Sequence, residues 1–176
     1  MNQWEKYFLN ICDVVSSNSK CFSRKIGAIL VRDKIVVATG YNGPPRGFSL
    51  CSERWKDVND PLFDVILEEK SEPKHDSSCP RQFLGFNSGE RLDLCPAVHA
   101  EVNCIASAAR LGVPTNRTIM YMNTQIPCKN CMGVLINAGI RQVVVTSLKP
   151  YDELSITMVR QSGISVITFD GEHLIP

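Results

Sequence analysis

The sequence predicts an α/β fold in which helices are layered on one sheet within a single domain. Apolar, β-branched runs near the N-terminus are typical of a strand hairpin, and the chain after residue 97 alternates helix and strand patterns. Strands separated by single helices indicate a layered sheet with parallel pairing in its second half. A length of 176 residues allows one full core and is too short for two independent domains.

The first half of the chain contains a helix, a hairpin and a long loop. Apolar residues recur at helical spacing over residues 4–15 and are interrupted by charges, so this segment is neither a signal peptide nor a membrane span. Strands are predicted over residues 26–32 and 35–41, with a two-residue turn between them. Residues 42–94 are rich in glycine, proline, serine and charge, which predicts a long loop insertion within the domain.

The second half of the chain alternates helices and strands. Helices are predicted over residues 98–111, 128–138 and 153–162, and strands over residues 118–123, 142–146 and 165–169. Gly139 and Gly163 end the second and third of these helices, because glycine readily takes the left-handed backbone angles that close a helix. The starts of the first two helices are expected at the same edge of the sheet.

Charge and cysteine content narrow the functional classes. The formal net charge is +1, which gives no field for gathering nucleic acid, so a small-molecule substrate is expected instead. With no secretion signal or membrane span in the pattern, we expect a cytoplasmic protein without membrane association. In that reducing compartment the eight cysteines are expected to include metal ligands or a reactive thiol rather than a disulfide framework.

Two motifs at predicted helix starts indicate a catalytic metal site. Cys128 and Cys131 are three residues apart, so they lie on one helix face, and the positive end of that helix favours thiolates. His99, at the start of the preceding helix, could supply a third ligand. Three protein ligands leave a fourth position for water, which is typical of catalytic rather than structural zinc. Glu101 would then stand beside that water.

Each motif alone has a simpler interpretation. A lone C-x-x-C is more often half of a structural zinc site or a redox pair, and a lone H-x-E is weaker still. Together and in this order they resemble the signature of zinc nucleobase deaminases. Zinc lowers the pKa of the water it binds to about 7. Glu101 would accept a proton from the water, pass it to the ring nitrogen and later deliver one to the departing ammonia.

Four stretches extend this resemblance over most of the chain: "TGYNGPPRG" at residues 39–47, "HAEVN" at 99–103, "PCKNC" at 127–131 and "AGIRQVV" at 138–144. From Trp4 to Phe169 the sequence resembles the deoxycytidylate deaminases of the cytidine deaminase-like superfamily. The resemblance implies a three-layer α/β/α fold with a mixed five-stranded sheet. It also implies hydrolytic deamination of dCMP to dUMP and ammonia, feeding thymidylate synthesis, with zinc as the cofactor.

The resemblance also assigns substrate contacts. It places Asn42 at the sugar and Tyr151 at the base or phosphate region. The stretch around Asn42 can also be interpreted as a plain turn in which Gly43 takes a positive φ, and Tyr151 as a half-buried aromatic at a helix start. The phosphate ligand stays open among four basic residues, namely Arg24, Lys25, Arg46 and Lys149.

Regulation and assembly are likewise implied by the resemblance. By this resemblance we expect a homo-oligomer, with a hexamer favoured, that is activated by dCTP and inhibited by dTTP, although some similar enzymes lack such regulation. The effector, which could bring magnesium with it, would lie near Tyr41, Gly43 and Arg46.

Four further cysteines lie in or beside loops: Cys21, Cys51, Cys79 and Cys95. Cys12 and Cys104 are assigned to buried helix faces, although similar enzymes usually carry alanine at the position of Cys104. Bacterial and archaeal enzymes that resemble this one carry loop cysteines at similar places. Because the long loop has few apolar residues, a closed four-thiolate zinc would give it order. Four unrelated thiols, or a site completed by His75 in place of one cysteine, are the alternatives.

Two other functions are alternatives to dCMP deamination. The first is the same chemistry on another base, with tRNA adenosine, guanine or a free cytidine nucleoside as substrate. The Tyr-Asn-Gly stretch at residues 41–43 and the long insertion argue against it. The second is a zinc-stabilised module that binds nucleic acid. Glu101 argues against that module, because a structural zinc has no use for a neighbouring carboxylate that is not a ligand.

Overall fold

A computed structural model of the chain describes residues 1–54, 79–83, 85–87 and 89–174. The helices of the described residues are α1 (Gln3–Ser16), α2 (Cys51–Arg54), α3 (Pro80–Phe83), α4 (Ala100–Arg110), α5 (Lys129–Asn137) and α6 (Glu153–Ser162), with a 3-10 turn at Leu92–Leu94. The strands are β1 (Gly27–Arg32), β2 (Ile35–Tyr41), β3 (Ile119–Met122), β4 (Gln142–Val145) and β5 (Ser165–Thr168). Every helix and strand predicted outside the long loop is present, within two residues at each end.

The sheet is mixed, and its strands run in the order β2-β1-β3-β4-β5. β1 pairs antiparallel with both β2 and β3, whereas β3, β4 and β5 pair in parallel. The β1–β2 hairpin turns at Asp33 and Lys34, whose φ angles are 50° and 64°. Two left-handed residues are what a two-residue type I′ hairpin turn requires. The predicted mixed sheet with parallel pairing in its second half is therefore confirmed.

Alternate strand residues face two different helical layers. The residues buried between the sheet and the layer of α4, α5 and α6 include Leu30, Cys104, Met120, Leu135, Val143 and Val159. Those buried between the sheet and α1 on the opposite face include Phe8, Cys12, Ile29, Tyr121 and Val144. This is the three-layer α/β/α arrangement that the resemblance implied. Cys12 and Cys104 are core residues, as predicted.

The chain divides into two compact units. The first contains Met1–Ser19, Ile26–Asn42 and His99–Pro176, and it includes the whole sheet with its helical layers. The second contains Lys20–Lys25 and Gly43–Val98. Residues 55–78, which include the possible metal ligand His75, lie outside the described residues. The single domain with a loop insertion therefore stays a prediction. Within the described residues, no helix combines the length and the apolar content that spanning a bilayer requires.

Candidate metal centre

Three potential metal ligands meet where two helices begin. His99 is the N-cap residue of α4, Cys128 is the N-cap residue of α5, and Cys131 lies in the first turn of α5. His99 Nδ1 lies 3.2 Å from Cys131 Sγ and 3.6 Å from Cys128 Sγ. The three ligand atoms all lie within 4.8 Å of one another. The two helix starts therefore lie side by side, as the sequence predicts.

The spacing of these atoms fits a zinc ion. Tetrahedral zinc, with bonds of about 2.0 Å to nitrogen and about 2.3 Å to sulfur, places neighbouring ligand atoms roughly 3.5 Å apart. The two nitrogen–sulfur separations match this distance. One imidazole and two thiols form a donor set that suits zinc, and three ligands leave one tetrahedral position for a non-protein group.

Hydrogen bonds between the three side chains shift their pKa values in different directions. The bond from Cys131, supported by His99, lowers the pKa of the Cys128 thiol to about 4. The same contact with Cys128, together with burial, raises the pKa of Cys131. The bond to Cys128 raises the pKa of His99. The sequence predicts that the helix end favours thiolates, and the contacts between the three side chains act on the thiol pKa values beside it.

Glu101 is a buried carboxyl beside this group. It is the second residue of α4, and only 5% of its surface is exposed. Burial raises the pKa of its carboxyl above the ordinary value, against the opposing effects of a backbone hydrogen bond, of His99 and of a hydrogen bond from Cys131. Glu101 does not belong to the group of assembled ligand atoms. A buried carboxyl with a raised pKa at this position is suited to take up and release a proton.

Backbone packing fixes the start of α4 against β2. A Cβ atom at Gly40 would lie 2.3 Å from the backbone nitrogen of Cys104 and 2.5 Å from the carbonyl oxygen of Ala100. Asn103 adds a hydrogen bond of 2.8 Å from its side-chain amide to the carbonyl of Tyr41 at the end of β2. Asn103 belongs to the "HAEVN" stretch, and no local signal in the sequence indicates this contact. These contacts hold β2 close to the first turns of α4, next to His99.

Gly40→Ala is expected to displace α4 and weaken zinc binding. Backbone atoms cannot move aside as the tip of a side chain can, so overpacking should cost about 1–3 kcal/mol of stability. Urea unfolding and zinc content check this expectation. Gly133→Ala is the matched control, because a Cβ there would meet only the Met158 methyl at 3.3 Å. Equal zinc content and stability in the two variants would contradict the proposed role of Gly40.

The predicted substrate residues differ in their surroundings. Asn42 is buried, and its Oδ1 accepts a 2.9 Å hydrogen bond from the backbone N–H of Ile26, while its carbonyl accepts one from Ser19. This side-chain oxygen therefore extends the β1–β2 hairpin. Tyr151 lies just before α6 and is 42% exposed, so the half-buried alternative does not describe it.

The predicted effector residues belong to both compact units, with Tyr41 in the first and Gly43 and Arg46 in the second. Tyr41 and Arg46 are exposed. Gly43 forms an antiparallel bridge with Val98, and it is Gly47, with φ 80°, that takes the left-handed conformation in this stretch. The expectation of a positive φ at Gly43 was therefore wrong, because Gly43 is held in extended pairing.

The four loop cysteines belong to the second compact unit: Cys21, Cys51, Cys79 and Cys95. Cys51 and Cys79 are buried and the other two are half-buried, and none of the four forms a disulfide. Burial first, and then the nearby thiols of the other three, raise the pKa of Cys51 to about 11. Within the part of the chain that the structure describes, the ligand group around His99 is the one assembled at binding distance.

Asp152 is a residue of this region that the sequence analysis missed. It is the N-cap residue of α6, and its carboxylate accepts hydrogen bonds from two helix starts. An aspartate directly before a predicted helix at residue 153 is a recognised N-cap signal, so its capping role could have been predicted. Its second contact, to Lys129, joins residues that are 23 positions apart, and no local pattern in the sequence indicates it.

Comparison with known proteins gives a family and a fold. Residues 2–147 match the family described as the cytidine and deoxycytidylate deaminase zinc-binding region. The deoxycytidylate deaminase of Schizosaccharomyces pombe is 30% identical over 163 residues, which cover 93% of this chain and 43% of that protein. The deoxycytidylate deaminase of Enterobacteria phage T4 is 30% identical, over 94% of this chain and 90% of that protein.

A solved structure agrees with the fold. The crystal structure of dCMP deaminase from the cyanophage S-TIM5, in apo form, superposes with a TM-score of 0.64 at 20% identity, covering 96% of this chain and 99% of that one. At this identity the likeness establishes the fold.

The family match contains the whole candidate centre. The chain spans less than half the length of the fungal relatives, 43% of the Schizosaccharomyces pombe protein and 45% of the deoxycytidylate deaminase of Saccharomyces cerevisiae. The matched residues nevertheless include His99, Glu101, Cys128 and Cys131. The chain belongs to the cytidine and deoxycytidylate deaminase family.

Proposed function

We propose that the protein is a zinc-dependent deaminase that hydrolyses dCMP to dUMP and ammonia, and so supplies dUMP for thymidylate synthesis. The observation that carries the proposal is the buried carboxyl of Glu101 beside three ligand atoms that fit zinc. A structural zinc has no need of such a group, which argues against the nucleic-acid-binding alternative. Relatives covering nine tenths of this chain carry the name deoxycytidylate deaminase, which supports dCMP over other bases.

Four side chains have separate roles in the proposed reaction. His99, Cys128 and Cys131 would hold zinc, which supplies Lewis acidity that makes water nucleophilic near neutral pH. Glu101 accepts the proton that water loses and donates it to the ring nitrogen next to the amine-bearing carbon. The same carboxyl then takes up the second proton of that water, whose oxygen becomes the ring carbonyl, and gives it to the leaving amine, so that one water is consumed and one ammonia is released. Burial suits Glu101 to this task, because it raises the pKa of the carboxyl and so favours the protonated form.

Asn42 and Tyr151 remain our proposals for substrate contacts, with Asn42 at the sugar and Tyr151 at the base or phosphate. Asn42 follows Tyr41, whose carbonyl is bound by Asn103 of α4, so Asn42 lies close to the helix that carries Glu101. Tyr151 is exposed and precedes the residue whose carboxylate contacts the start of α5. Both positions are compatible with a nucleotide held beside the metal centre.

Regulation, assembly and location also remain proposals. We infer a homo-oligomer, with a hexamer favoured, that responds to dCTP and dTTP and works in the cytoplasm. A magnesium-bound effector would meet Tyr41, Gly43 and Arg46, of which Tyr41 and Arg46 expose their side chains.

A second, structural zinc is proposed at Cys21, Cys51, Cys79 and Cys95. Its support is that three of these thiols lie near enough to Cys51 to raise its pKa, within a single compact unit. Elemental analysis of pure protein is expected to find two zinc ions per chain, and about one in Cys95→Ser. The reason is that one lost thiolate opens a four-ligand site. One zinc per chain in fully active wild-type protein would contradict the second site.

A further inference from the structure

We propose that Asp152 is a positioning residue for the metal centre: its carboxylate holds the turn that carries Cys128 and joins it to the segment that carries Tyr151. The proposal rests on the proposed zinc site, and it goes further by assigning a role to a residue that lies outside the ligand set.

The contacts of Asp152 connect two helix starts. Its Oδ2 accepts a 2.9 Å hydrogen bond from the backbone N–H of Lys129, the first residue of α5. Its Oδ1 accepts a 2.8 Å bond from the backbone N–H of Ser155 in α6. The Ser155 hydroxyl in turn donates to the backbone carbonyl of Asp152 at 2.7 Å. Both carboxylate oxygens and the main chain of Asp152 are therefore fixed.

The start of α5 needs this contact because its own N-cap residue provides none. The first N–H groups of a helix lack intrahelical partners and are usually satisfied by an N-cap side chain. Cys128 occupies the N-cap position, and its side chain does not bind the Lys129 N–H. Its sulfur faces His99 instead. Asp152 supplies the missing acceptor from another segment, and a negative charge at a helix N-terminus is also electrostatically favourable.

The hydrogen bond between Lys129 and Asp152 lies next to Cys128 in the chain. Lys129 follows Cys128 directly, so anchoring the Lys129 N–H restrains the backbone of Cys128 at φ −66° and ψ 162°. That backbone sets the direction of the Cys128 sulfur. Groups that orient metal ligands typically change metal affinity or activity by about 10-fold to 100-fold when they are removed. Asp152 also fixes the chain next to Tyr151. Its carboxylate therefore positions both the turn that carries Cys128 and a proposed substrate contact.

Lys129→Pro removes the donor with little other change. Proline is well tolerated at the first position of a helix, where it deletes only the N–H. The residue before a proline must be extended, as Cys128 already is. Lys129→Ala is the matched control, since it loses the lysine side chain but keeps the N–H. Zinc transfer from the zinc-loaded full chain to a chromophoric chelator is expected to be about 10-fold faster for Lys129→Pro than for Lys129→Ala.

Asp152→Asn removes one of the two acceptor oxygens, so Lys129 and Ser155 can no longer each be bound by an oxygen of their own. If both substitutions act through the same bond, Asp152→Asn combined with Lys129→Pro should release zinc no faster than the faster single variant. Asn2→Ala is the control for general destabilisation, because Asn2 caps α1 through bonds to Trp4 and Glu5. It should lower the unfolding midpoint and leave zinc release unchanged.

Equal zinc release by Lys129→Pro and Lys129→Ala would overturn the proposal, as would additive effects in the double variant or faster release in Asn2→Ala. The chelator assay uses no substrate, so it separates this proposal from the proposed function. Faster zinc release in a protein that deaminates no nucleotide would uphold the role of Asp152 and reject the assigned reaction.

Discussion

Glu101→Ala is expected to abolish the release of ammonia from dCMP while leaving zinc bound. Losing a positioned general acid and base typically costs about 10² to 10⁴ in rate, and Glu101 serves several proton transfers in turn, so the loss should reach at least the upper value. Zinc should stay because Glu101 lies outside the group formed by His99, Cys128 and Cys131.

The measurement is ammonia release at saturating dCMP, with zinc content determined on the same preparation. Glu101→Gln is the matched variant, since it keeps the size of the side chain and removes its ability to carry a proton. It should be as inactive as Glu101→Ala. A Glu101→Ala protein that loses its zinc but remains active in zinc-supplemented buffer would show that the carboxyl is a ligand and not a proton carrier.

Cys131→Ala is expected to remove the catalytic zinc and with it all measurable turnover. Cys131 is one of the three proposed protein ligands, and two ligands do not hold zinc in a tetrahedral catalytic site. Cys104→Ala provides a control with the same chemical change. Cys104 is fully buried in α4, and burial raises the pKa of its thiol to about 12, as suits a core residue. Cys104→Ala should keep zinc and activity.

The two cysteine variants are compared by zinc content and by turnover on dCMP. Zinc per chain should fall by one ion in Cys131→Ala and stay unchanged in Cys104→Ala. Any cost of Cys104→Ala should appear only as a lower unfolding midpoint, because it removes a small buried group. Loss of zinc in Cys104→Ala, or its retention in Cys131→Ala, would show that the ligands are wrongly assigned.

The sequence predicts the regular elements well because their signals are local. The hairpin over β1 and β2 follows from two apolar runs with a two-residue turn, and α6 follows from an apolar period closed by Gly163, whose φ is 74°. The meeting of His99, Cys128 and Cys131 is predictable for the same reason. Short motifs at two helix starts suffice, once both starts are placed at one edge of the sheet.

What the sequence did not predict depends on contacts between distant residues. Gly40 shows no local sign that the backbone of α4 lies against it. Asn42 was assigned to a ligand, but the structure also uses its Oδ1 to hold Ile26. The bond between Asp152 and Lys129 forms only when two loops meet. Each depends on tertiary packing that no residue pattern encodes.

The central claim, deamination of dCMP at the centre built from His99, Glu101, Cys128 and Cys131, is tested most directly by ammonia release from a panel of substrates. Pure protein is incubated with dCMP, CMP, deoxycytidine, dCTP and guanine. We expect release from dCMP to be far faster than from deoxycytidine, because binding of the phosphate stabilises the transition state and a truncated substrate loses turnover as well as affinity. Equal rates on dCMP and deoxycytidine, or release from guanine but not from dCMP, would contradict it.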